Sequence, residues 1–74
     1  MEHVQLKLLS GFTARETEVM ALLFRGKKNA DIAHILGLSI NTVKSHLKHI
    51  YKKANVSSRT ELIIRYIANQ PPVE

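Results

Sequence analysis

The chain has 74 residues, enough for one small domain, and its lack of cysteine excludes disulfides and thiolate metal sites. Hydrophobic residues make up 45% and charged residues 23%, a globular balance, while 5% aromatics without tryptophan argue against stacking platforms for single-stranded nucleic acid. The net charge of +5 is uneven: residues 25–59 hold eight Lys/Arg against one acid, Asp31, for a local +7, and the remainder carries −2. A basic middle on a near-neutral frame suggests a surface that faces a polyanion, and the plain alternative is a solvated face rich in lysine.

Residues 1–11 read as a linker or N-terminal extension, with Val4, Leu6, Leu8 and Leu9 giving no single periodicity. Four helices and no strand follow, so the chain is expected to be an all-α four-helix bundle. The first helix covers about 14–25. Thr13 and Glu16 have capping-box spacing, Val19, Leu22 and Leu23 form one stripe with Met20 beside it, and Gly26 suits a left-handed stop.

A short second helix covers about 29–36, with Ala30, Ile32, Ala33, Ile35 and Leu36 as its apolar face. Gly37 interrupts it, and Ser39 is a good N-cap for a third helix over about 40–54. The third helix divides cleanly. Val43, Leu47, Ile50 and Ala54 should face the core, while Asn41, Lys44, Ser45, Lys48 and Lys52 line another side. Asn55 can end it in the left-handed region. The fourth helix, about 59–69, opens at Ser58 with Glu61 three residues on, and Leu62, Ile63, Tyr66 and Ile67 form its stripe. Pro71 and Pro72 stop any helix, leaving residues 71–74 as a C-terminal tail.

The middle of the chain is thus a two-turn helix, a three-residue turn and a longer helix, the pattern of a helix-turn-helix. Ala33 lies where two steeply crossing helices would touch, and Gly37 can take the positive φ that reverses the chain. A helix of about 21 Å cannot lie wholly within a groove about 12 Å wide. Only its N-terminal two turns reach base edges. Lysine can donate to guanine and asparagine can pair with adenine there, whereas Lys52 and Lys53 would meet phosphates or simply complement the helix dipole.

Phe12 to Val19, Gly26, Asn29, Ile32-Ala33, Leu36, the run Leu38 to His46, then Ile50, Lys53, Val56 and Arg59 closely resemble the LuxR/FixJ/GerE-type DNA-binding domain. The resemblance covers about residues 12–68, which sets the domain at about 12–70. Its most specific part is Thr42-Val43-Lys44-Ser45-His46. It implies a sequence-specific duplex DNA-binding output domain of a bacterial transcription regulator, whose third helix enters the major groove and whose fourth mediates dimerisation on DNA. By the same resemblance Lys44, Ser45 and Lys48 face bases, with Asn41 beside them. The resemblance implies that Asn29, Thr42 and His46 lie toward the DNA backbone, where Lys28, Ser39 and Lys52 are also expected, and Ser57, Arg59, Thr60 and Ile63 are expected at the dimer surface.

The chain departs from the family pattern at a few positions. Phe12 stands where the family has leucine, Thr17 replaces a basic residue, and Ala54-Asn55 replaces Leu-Gly. Lys28 replaces the usual Ser/Thr cap, which would move the second helix's cap to Asn29.

Two other readings use the same helices. A protein-interaction module would employ residues 1–11 and the fourth helix but has no need of the Lys44/Ser45/Lys48 face. The DNA-reading region of a sigma factor has a similar layout but not the Thr42–His46 block. No catalytic triad, carboxylate pair or phosphate-binding glycine loop is present, so no enzymatic activity is expected. His34, His46 and His49 fall short of a metal set, and no cofactor is expected. Expected partners are double-stranded DNA, a second copy on DNA and, as a further candidate, RNA polymerase. No apolar run approaches the roughly 18 residues of a membrane span and residues 1–5 lack signal-peptide character, so the expected location is cytoplasmic, within a longer regulator.

Overall fold

The computed structural model describes residues 11–69; the expectations for residues 1–10 and for the C-terminal tail lie outside the described residues. Four helices occupy the described chain: α1 Ala14–Phe24, α2 Asn29–Leu36, α3 Ile40–Ala54 and α4 Arg59–Ala68. All described residues outside them are turns, caps and short connections.

Each helix end has a local cause. At α1 the capping box is complete: Glu16 N–H donates to Thr13 Oγ1 at 3.0 Å, and Thr13 N–H donates to Glu16 Oε1 at 2.9 Å. Arg25 is the C-cap rather than the last helical residue, because Gly26 at φ +87° turns the chain and Lys27 N–H closes back on Leu22 O. The cap of α2 does not move to Asn29. Lys28 stays in extended backbone as the N-cap, and Asn29 is already helical. Lysine has no acceptor to offer the first amides, so only the reverse half of a box forms, from Lys28 N–H to Asp31 Oδ2 at 3.4 Å.

Gly37 ends α2 at φ +68°, with Leu38 N–H donating to Ala33 O at 2.8 Å. Gly37, Leu38 and Ser39 make the whole turn. Ser39 Oγ then accepts Thr42 N–H at 3.1 Å and starts α3. Asn55, at φ +58° and ψ +46°, closes α3, and Val56 N–H returns to Tyr51 O. At α4, Ser58 Oγ accepts Glu61 N–H, but the Glu61 carboxylate reaches past the cap to Ser57 N–H at 2.8 Å.

The core contains Val19, Met20 and Leu23 of α1, Ile32 and Ala33 of α2, Val43, Leu47 and Ile50 of α3, and Leu62 of α4. α3 packs against each of the other three helices. Its expected inward stripe holds, with Ala54 half-buried at the end. The other stripes are narrower than expected. At about 100° per residue the covered arc of α4 takes in Leu62, Tyr66 and Ile63, and Ile67 falls beyond it at 63% exposure. On α2, Ala30 and Ile35 flank the covered arc and are exposed. The main packing partner of α4 is α3; its contact with α1 includes Tyr66 stacked on Phe24, ring centroids 3.9 Å apart.

Val43 has no exposed surface, so Val43→Asp would bury an unpaired charge at several kcal/mol in a domain with only about 5–15 to lose. Loss of the helical circular-dichroism signal is expected; a fully helical variant would contradict this register of α3.

Candidate nucleic-acid interface

The outward face of α3 follows from its inward one. With Val43, Leu47 and Ile50 fixed in the core, Asn41, Lys44, Ser45 and Lys48 share an arc of about 100° on the opposite side. All four are exposed. Among the described residues none of their side chains has a hydrogen-bond or ion-pair partner. Four donor-bearing or amphoteric side chains therefore stand free over a length of about 10 Å.

The charge around them is one-sided. α1, α2 and α4 each carry an acid in the first turn, Glu16, Asp31 and Glu61; α3 carries none there. The positive end of its dipole is left uncompensated, which favours an incoming anion. No acid occurs anywhere along α3, while Lys44, Lys48, Lys52 and Lys53 do.

The remaining expected residues divide by their contacts. Lys28 is exposed at the start of α2, and Lys52 is exposed on α3. Ser39 and Thr42 are engaged with each other, their hydroxyl oxygens 2.9 Å apart, so part of their hydrogen-bonding capacity is spent on starting α3. His46 is half-buried beside the core stripe; His34 and His49 are exposed. Among the described residues no three His, Cys, Asp or Glu side chains converge as a metal site.

Asn29 and Arg59 meet directly. Arg59 Nη1 donates to Asn29 Oδ1 at 3.3 Å, and Nη2 donates to the carbonyl of Lys27. This clasp ties the start of α4 to the start of α2, and Arg59 is half-buried rather than projecting freely. An open depression beside it is lined by Leu23, Lys28, Asn29, Arg59 and Ile63, so residues expected on the DNA side and on the dimer side adjoin. The Arg59 charge also favours ionised Tyr51, but burial is the larger effect and raises the pKa of that phenol.

One site escaped the sequence reading. Glu16 is 4% exposed, and Lys53 Nζ lies 2.7 Å from its Oε1. The same ammonium reaches the Gly11 carbonyl at 3.4 Å and sits 5.7 Å from the centre of the Phe12 ring. Lys53 is thus committed to joining the last turn of α3 to the start of α1, while its neighbour Lys52 is not. The Lys53 hydrogen bond is the strongest influence on the Glu16 carboxyl and holds its pKa below the ordinary glutamate value against the opposing effect of burial. The available signal was an acid in the core-facing arc of α1.

Comparison with known proteins adds a consistent picture. The family described as bacterial regulatory proteins, luxR family, matches residues 10–66. The chain is 43% identical over 60 residues to the probable transcriptional regulatory protein SgaR of Hyphomicrobium methylovorum, covering 81% of this chain and 28% of that protein. It is 36% identical over 59 residues to the HTH-type transcriptional regulator MalT of Vibrio cholerae, covering 80% of this chain and 6% of that one. It is 40% identical over 52 residues to the transcriptional regulatory protein LiaR of Bacillus subtilis, covering 70% and 25%. The chain therefore spans at most about a quarter of the length of these curated relatives. No solved structure matches it. Among the described residues no helix is long and apolar enough to cross a membrane.

The Glu16–Lys53 pair sets an acid limit. A carboxyl whose folded-state pKa lies below its unfolded value contributes stability above the unfolded value and loses it as pH falls through the folded one. Resistance to unfolding by urea should therefore fall below about pH 4.3, and Glu16→Gln should blunt that loss. Lys53→Ala should cost about 1–3 kcal/mol at neutral pH by removing a charged hydrogen bond from a buried carboxylate. Equal acid sensitivity in Glu16→Gln would contradict this assignment.

Proposed function

Because the chain belongs to the luxR family of bacterial regulatory proteins, we propose that it binds duplex DNA sequence-specifically for a transcription regulator, with α3 inserted in the major groove. The observation that carries this is the free, acid-free stripe Asn41, Lys44, Ser45 and Lys48 directly after the Gly37 turn. The names of its relatives, transcriptional regulators throughout, support the same reading.

The roles follow from donor chemistry. Lys44 and Lys48 have donors only and suit guanine O6 and N7. Asn41 offers a donor and an acceptor and suits adenine, and the Ser45 hydroxyl accommodates either partner. Phosphates are met by the amides and side chains at the two helix starts, Lys28, Asn29, Ser39 and Thr42, and by His46 and Lys52 along α3.

The free domain is a monomer in this proposal and pairs on DNA through α4. Ser57 and Thr60 are exposed at its start and Ile63 is half-buried. Arg59 contributes by bracing this surface against α2 through Asn29 and Lys27. Ile64 and Ile67, 59% and 63% exposed, extend the apolar area beyond the expected set.

Selection of bound sequences from random duplex DNA is expected to enrich one motif. Lys44→Ala and Lys48→Ala should each lose about 1–3 kcal/mol of discrimination at particular base pairs, whereas Lys52→Ala should weaken all sequences alike. With about three to five phosphate contacts per monomer, log affinity should fall with log salt at a slope of about −3 to −4.5. Sequence preference governed by Lys52, or affinity indifferent to salt, would refute this docking.

A second measurement concerns pairing. Two half-sites about 10 base pairs apart put both copies of α3 on one side of the duplex. Titration onto one and onto two half-sites should give tighter binding per module on the pair. Equal affinity per module would remove the dimer and leave DNA binding standing.

A further inference from the structure

One exposed side chain at the tip of α3 serves no purpose inside the domain. Ile40 is the first helical residue of α3 and is 44% exposed. It belongs neither to the core nor to the partly buried apolar residues packed around it. Nor does it help to start the helix, a position that favours proline or an acid able to complement the dipole. At about 100° per residue Ile40 lies about 40° round the axis from Lys44 and one turn ahead of it, so it flanks the leading end of the free stripe.

The stripe itself has polar ends only. Asn41, Lys44, Ser45 and Lys48 distinguish bases by hydrogen bonds. In the major groove an A·T pair also presents the thymine C5-methyl, which an apolar side chain contacts and a hydrogen-bonding group does not. We propose that Ile40 packs against the C5-methyl of one thymine and is a specificity-determining residue of α3. The proposal rests on α3 lying in the major groove. A rise of about 1.5 Å per residue puts Ile40 about 6 Å along the axis from Lys44, so that thymine lies within about two base pairs of the base Lys44 reads.

The test uses the 74-residue chain and the duplex recovered by selection from random sequences. Each thymine is replaced in turn by uracil, which removes the methyl and keeps every hydrogen-bonding group. Affinity of the unaltered protein should fall about three- to fivefold at one thymine per half-site, the effect of leaving one methyl unburied. Ile40→Ala, with unchanged circular dichroism, should bind the thymine and uracil duplexes equally at that position. Ile40→Val, which keeps a branched apolar side chain, should retain most of the difference. Indifference of the unaltered protein to uracil at every position overturns the proposal, as does an Ile40→Ala variant that keeps the full difference. Recovery of no enriched sequence would instead overturn the groove-reading proposal itself, so the two failures are distinguishable.

Discussion

The constraint on which the domain depends is that one helix must close the core and leave its other side unoccupied. α3 supplies Val43, Leu47 and Ile50 to the interior and packs against every other helix. A shift of one residue in its register would rotate it by about 100°, carrying Lys44 toward the core and Val43 toward solvent. Burial of an unpaired ammonium forbids that shift. The outward face of α3 is therefore set by the same side chains that stabilise the fold, and its direction is fixed by the core. Ala33, 4% exposed, allows the close approach of α2, and Gly37 supplies the backbone reversal. A Cβ on Gly37 would meet nothing within 4 Å, so what favours glycine at this turn is its φ rather than a lack of space.

Much of this was legible because it is local. Thr13 and Ser58 cap where their spacing to Glu16 and Glu61 indicated, Ser39 caps where its place after Gly37 indicated, and Asn55 takes the left-handed position that glycine takes after α1 and α2. The inward stripe of α3 was legible because its two faces differ in every turn. α1 was harder to read. Its covered arc contains Glu16, so the apolar period is broken there, and Met20, read beside the stripe, lies in the core while Leu22 lies on the flank. No local pattern announces that a carboxylate will be accepted inside, because its partner Lys53 lies 37 residues away. The exposure of Ile67 was equally hidden, since it depends on how much of α4 α3 can cover.

The basic middle is two populations rather than one. Lys53 and Arg59 are held by intramolecular partners, Glu16 and Gly11 in one case and Asn29 and Lys27 in the other. Lys44, Lys48 and Lys52 are exposed without such partners among the described residues. Net charge counted them alike. The difference lies in whether an arc of the same helix faces a neighbour, as it does for Lys53 and not for Lys52. A count of cations thus overstates the charge available to a polyanion, and the free stripe is the better measure of it.

The end of α3 illustrates a balance between the native and the denatured chain. Asn55 holds a left-handed backbone that costs an L-residue about 1–2 kcal/mol, less for asparagine because its short amide tolerates the region. Glycine would remove that strain from the native state. It would also widen the conformational ensemble of the unfolded chain, an entropic loss on folding of roughly 0.4–1 kcal/mol. The two effects nearly cancel. The polypeptide therefore terminates its longest helix with little net thermodynamic need for glycine, because the strain it keeps in the folded state is offset by the narrower ensemble it keeps in the unfolded one.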